Sequence, residues 1–70
     1  MSTDLQRVTV NLIPKAADSL DRLAERTTMS KTDVINRALQ LYDFIDGVTA
    51  GGGDVLVRPK DGATELLKLI

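Results

Sequence analysis

"RVTVNLIPKAADSLDRL", residues 7–23, changes its periodicity halfway along. From Arg7 to Leu12 polar and apolar residues alternate strictly. A strand here has Val8, Val10 and Leu12 on one face and Arg7, Thr9 and Asn11 on the other. Pro14 ends that ladder, because it has no N–H to contribute, and its fixed φ suits the first turn of a helix. Beyond it the spacing turns helical. Ala17, Leu20, Leu23 and Ala24 form one apolar stripe, so a helix over 14–26 is expected, preceded by Ile13, a poor capping residue. A lone strand at the front of a short chain needs a neighbour, and no obvious one stands beside it.

"TTMS" then interrupts the helical pattern, and "SKTD" restores it. Ser30 takes the N-cap position with Asp33 three residues on, in the manner of a capping box. A second helix over 31–46 is apolar on more than one side. Val34, Ile35, Ala38 and Leu39 are followed by Leu41, Tyr42, Phe44 and Ile45, a pattern that asks for burial on several sides. Gly47 is expected to end it, with "GGG" at 51–53 acting as a hinge. In the tail, "PKDG" is turn chemistry between two apolar runs, which predicts a β-hairpin. Val55, Val57, Leu66, Leu67, Leu69 and Ile70 are too many apolar residues for a solvated tail, and they are expected to pack on the helices or on another chain. The organisation expected is a mobile arm over 1–6, a strand–helix–helix domain over 7–50, and a Gly-hinged extension over 51–70.

The totals sharpen the question of the missing neighbour. A chain of 70 residues sits at the size, about 70–80 residues, below which a single core usually needs a disulfide, a metal or a partner chain. With no Cys and no His, disulfides and the commonest transition-metal sites are excluded, which leaves a partner chain. The apolar fraction of 43% is too high for a disordered chain. No apolar run approaches the roughly 18 residues that span a bilayer, and no signal-peptide core opens the sequence, so a cytoplasmic protein without membrane association is expected. The formal charge is −1, with acidic and basic residues near balance in both halves. That argues against unspecific coating of nucleic acid but leaves room for a small, locally arranged reading surface.

The order strand, helix, short turn, capped long helix resembles the ribbon–helix–helix repressors, the superfamily that includes MetJ and Arc. The resemblance covers about residues 7–46 and rests on "RVTVNL", on the spacing to "MSKTDVINRAL" and on the apolar second helix. It implies a mainly α homodimer with one intermolecular antiparallel β-ribbon, each strand pairing with its own copy. In that arrangement Val8, Val10, Leu12, Leu20, Val34 and Ile35 line the dimer core together with Ala38, Leu39, Leu41, Tyr42 and Ile45. The ribbon enters the DNA major groove and presents Arg7, Thr9 and Asn11 to the base edges. Those residue types suit the task, since Arg grips guanine O6 and N7, Asn pairs with adenine N6 and N7, and Thr meets a base edge or a thymine methyl. A two-fold dimer calls for double-stranded DNA with an inverted repeat. The family also implies a phosphate held at the second helix's N-terminus by the backbone around Ser30, Lys31 and Thr32, favoured by the helix dipole. One departure concerns the turn between the helices. Thr28 stands where the family commonly has Gly, and positive φ there costs a Thr roughly 1 kcal/mol or more, so a locally different turn is expected.

Plainer readings compete. Alternation alone is equally a half-buried strand whose polar face meets water, and "SKTD" is a helix cap whether or not it binds phosphate. Asp18 and Arg22, four apart, read as solvated surface, as do Lys15, Arg26 and Arg37. Tyr42 and Phe44 read as core rather than base-stacking platforms. Catalysis has little support: the chain has no His, Cys or Trp, no Gly-rich loop between strand and helix, and no carboxylate pair with an evident pocket. The expectation is a nucleoid-associated repressor without enzymatic activity or cofactor, acting as a homodimer or a higher assembly on DNA. Its rivals are an antitoxin that holds a toxin through residues 51–70 and represses its own operon, and a structural protein-interaction module. A protein partner or effector at the C-terminal segment fits the first of these.

Overall fold

The computed structural model describes residues 5–68. The order of elements is α1 (Pro14–Thr27), α2 (Lys31–Ala50), β1 (Leu56–Val57) and β2 (Glu65–Leu66). The protein is thus mainly helical with one small antiparallel sheet. Its backbone divides into two compact units, one ending at Val34 and the other beginning at Ile35. Most of the arm expected over 1–6, and Leu69 and Ile70 of the tail, lie outside the described residues.

In the first unit, Ile13 is extended (φ −66°, ψ 154°) and caps α1 with no side-chain hydrogen bond. Pro14 follows at the first helical position, and the Ala17 N–H closes the opening turn on the Ile13 carbonyl at 2.9 Å. Ala17, Leu20 and Ala24 of the expected stripe are half-buried, and Leu23 is more open. At the far end Arg26 complements the helix dipole, and Thr27 Oγ1 donates to the Leu23 carbonyl at 2.6 Å. Thr28 then ends the helix in the left-handed region, at φ 56° and ψ 26°. The expectation of a different local turn is corrected here: Thr28 adopts the conformation a glycine would take, at a cost for a β-branched residue. Its Oγ1 donates to the Thr27 carbonyl at 2.6 Å, a local bond that partly offsets the strain.

α2 starts as its sequence predicts. The Asp33 N–H donates to Ser30 Oγ at 3.1 Å, the Val34 N–H donates to the Ser30 carbonyl at 3.0 Å, and Asp33 adds a negative charge to the first turn. Its end corrects the expectation. The helix passes through Gly47 and runs four residues beyond Asp46, to Ala50. One interior glycine costs about 1 kcal/mol relative to alanine, which weakens a helix without stopping it. What stops this one is Gly52, at φ +89°. The Gly52 N–H bonds the Thr49 carbonyl at 3.1 Å and the Gly53 N–H bonds the Val48 carbonyl at 2.9 Å, the paired bonds of a Schellman cap. A Cβ on Gly53 would stand 3.0 Å from Val48 Cγ1 and 3.1 Å from the Val48 carbonyl oxygen, a tight fit that favours glycine there as well. The triple glycine read as a hinge is therefore occupied by a hydrogen-bonded cap.

The hairpin expected in the tail is present. β1 and β2 pair antiparallel, with Leu56 opposite Leu66 and Val57 opposite Glu65. The Leu67 N–H carries the ladder on to the Val55 carbonyl at 2.8 Å, and the Gly62 N–H closes the "PKDG" turn on the Pro59 carbonyl at 3.2 Å. Among the described residues Val34 is the one buried apolar side chain, at 6% exposure. A single chain of this composition leaves its apolar stripes open.

Candidate nucleic-acid interface

Three groups of residues make up the candidate site. The first is the segment before α1. Arg7, Thr9 and Asn11 are exposed, and so are the residues between them: Val8 at 68%, Val10 at 62% and Leu12 at 44%. Residues 5–13 carry no strand in the single chain. A strand is defined by its ladder, and this stretch meets none among the described residues. Pro14 and extended Ile13 hold its end at the start of α1, and the alternating residues before them are exposed.

The second group is the N-terminus of α2. Ser30, Lys31 and Thr32 are all exposed, and the Ser30 hydroxyl is committed to the Asp33 amide. An anion at this end would meet the first-turn amides ahead of Asp33, with the positive end of the dipole behind them. Lys31 is not idle: its Nζ lies 3.2 Å from Asp21 Oδ1 of α1, both side chains about two-thirds exposed. An ion pair so open to water is worth about 0–1 kcal/mol, small enough for a phosphate to displace. The sequence pattern missed this pair, because Asp21 and Lys31 meet only through the fold of the turn between the helices. On α1 the Arg22 Nη2 reaches Ser19 Oγ at 3.4 Å, consistent with the solvated face assigned to it.

The third group is the apolar set assigned to a dimer core. Val34 is buried, and Leu20 and Ile45 are half-buried. Ile35, Ala38, Leu39, Leu41 and Tyr42 are exposed, as is Phe44 beside them. Within the second unit a feature absent from the sequence reading appears, an open groove of about 370 Å³. Tyr42, Ile45, Asp46 and Thr49 of α2 line one side, and Val55 and Leu67 at the hairpin line the other. The groove mixes apolar walls with carboxylates at Asp46 and Asp54. No helix among the described residues is long and apolar enough to cross a membrane.

No family model, curated protein or solved structure matches this chain.

Proposed function

We propose that the chain is a sequence-specific DNA-binding transcriptional regulator, a repressor that works as a homodimer. Two copies pair their 7–12 segments into an antiparallel ribbon that enters the major groove. Arg7, Thr9 and Asn11 of each copy then read an inverted-repeat operator, and the backbone around Ser30, Lys31 and Thr32 holds a phosphate on either side. Repression follows from occupancy, since a filled operator excludes polymerase.

The observation that carries this reading is the exposure of Val8, Val10 and Leu12, which alternate in sequence directly before two helices in which Val34 is the one buried apolar side chain among the described residues. Each such side chain stabilises by about 1.5–3 kcal/mol when fully buried. Two copies of the three side chains can therefore offset the 4–15 kcal/mol that association costs. Pairing the apolar face turns the polar face outward, because the side-chain period of a strand is two. The left-handed Thr28 and the Ser30 cap support the helix–turn–helix part of the resemblance. The near-neutral charge fits a protein that relies on a few placed contacts.

The test is selection of binding sites from random duplex DNA with the purified protein, followed by titration of the selected site. Arg7→Ala and Asn11→Ala should each weaken the specific site by about 1–3 kcal/mol while the helical circular dichroism stays unchanged. Unchanged affinity in both variants, or recovery of no symmetric site, refutes the ribbon as the reading element.

A further inference from the structure

The free edge of the C-terminal hairpin is self-complementary. Because Leu67 N–H bonds the Val55 carbonyl at 2.8 Å, Val55 and Leu67 form a hydrogen-bonded pair. Antiparallel pairs alternate, so the next pair, Leu56 with Leu66, is of the non-bonded kind. Leu56 therefore turns its own N–H and C=O away from β2, toward the open side of β1 (Leu56–Val57), and a strand prolonged by one or two residues at each end would turn Asp54 and Arg58 the same way. The turn that begins at Pro59, closed by the Gly62 N–H on the Pro59 carbonyl, bounds this edge at one end, and Gly53, held in the helix cap, bounds it at the other. Five residues lie between them, and Leu56 is the midpoint.

We infer that β1 of one copy pairs antiparallel with β1 of a second copy about a two-fold axis at Leu56. In that register Leu56 faces Leu56, and Asp54 of each copy faces Arg58 of the other, so both charge pairs are opposite in sign. No other symmetric register centred within this edge does this: moving the centre to Val55 puts Asp54 against Leu56 and Arg58 against Gly52, and moving it to Val57 puts Arg58 against Leu56 and carries Asp54 past Pro59 to Lys60. Neither Asp54 nor Arg58 has an ion-pair partner among the described residues. On the opposite face Val55 of one copy meets Val57 of the other. The product is a four-stranded sheet in the order β2, β1, β1, β2, with leucines 66, 56, 56 and 66 in a row across one face. Those leucines are exposed in the single chain, Leu56 at 62% and Leu66 at 48%. A two-stranded hairpin is marginal alone in water, and a sheet of four gives it a shared face to bury. This contact is separate from the N-terminal ribbon and needs no DNA.

The chain has no cysteine, so single substitutions report cleanly. Leu56→Cys should oxidise to a disulfide-linked pair, because facing Cα atoms in a hydrogen-bonded pair lie about 5.5 Å apart, within disulfide reach. Leu66→Cys should not, because three strand spacings, roughly 14 Å, separate the two copies of that position. In the Leu56→Cys background, Asp54→Arg or Arg58→Asp alone should lower the linked fraction, by up to about fivefold for each like-charge pair created. Combining both reversals should restore it. Should Leu56→Cys fold poorly, Asp54→Cys mixed with Arg58→Cys should link where neither alone does. Linking through Leu66→Cys would assign the contact to β2 and overturn the inference, as would linking in none of these variants. Failure of the double reversal to rescue would overturn the register.

Discussion

Residues 7–12 and residues 54–58 are both short stretches rich in β-branched and other apolar side chains, yet only the second contains a strand within the chain, at Leu56–Val57. The difference lies in the residues that come after each. Arg58 is succeeded by Pro59-Lys60-Asp61-Gly62, a turn closed by the Gly62 N–H on the Pro59 carbonyl, which returns the chain in register at Glu65 and Leu66. Leu12 is succeeded by Ile13, Pro14 and the rest of a 14-residue helix, which carries the chain away. Strand-forming composition sets the capacity to pair, and a nearby turn decides whether the partner is local. Where no turn is supplied, a second chain is the remaining source of a ladder.

That contrast can be broken first by burying a charge. Val10→Asp should abolish the ribbon-paired dimer and its cooperative melting, since an unpaired carboxylate in a ribbon core costs several kcal/mol. Val57→Asp, in a strand that already has its partner within the same chain, should leave a folded protein. Sedimentation and thermal circular dichroism compare the two, and equal losses would erase the distinction between the regions. The melting midpoint of the parent protein should also rise with protein concentration.

Smaller changes sharpen the contrast at the turns. Gly52→Ala places a Cβ at φ +89° and should cost about 1–2 kcal/mol in chemical unfolding. Thr28→Gly should do the opposite in the other unit, stabilising by about 1 kcal/mol as the left-handed strain is relieved, less what greater unfolded-state freedom takes back. A destabilised Thr28→Gly would mean that its hydroxyl bond to Thr27 matters more than its backbone. Smallest in stability is Lys31→Ala, at a few tenths of a kcal/mol, because its pair with Asp21 is exposed. Its effect on DNA should be uniform across sequences, with the salt slope reduced by about 1 per site; an altered sequence preference would place Lys31 on a base.

Starts of elements were legible in this sequence, and ends were less so. Pro14 and Ser30 announce their helices because each acts locally, one through its ring and the other through a hydroxyl three residues from an amide. Gly47 and Gly52 are indistinguishable as letters. Only the geometry around Val48 and Thr49 shows that the second stops α2 while the first rides inside it. The hairpin was legible from its turn. Of the candidate site, the Ser30 cap could be read directly, whereas the Asp21–Lys31 pair could not, since it depends on the left-handed residue between two helices. The free edge of β1 needed the phase of the ladder, which one backbone bond at Val55 supplies.

Val34, the one buried apolar side chain among the described residues, has a consequence for how long a molecule survives. A solitary copy has little to lose by opening, so its backbone is within reach of any protease that finds it before another copy does. In the proposed dimer, copies that meet are shielded. On that reading lifetime rises with abundance, and a cell that dilutes the protein by growth also shortens the life of what remains.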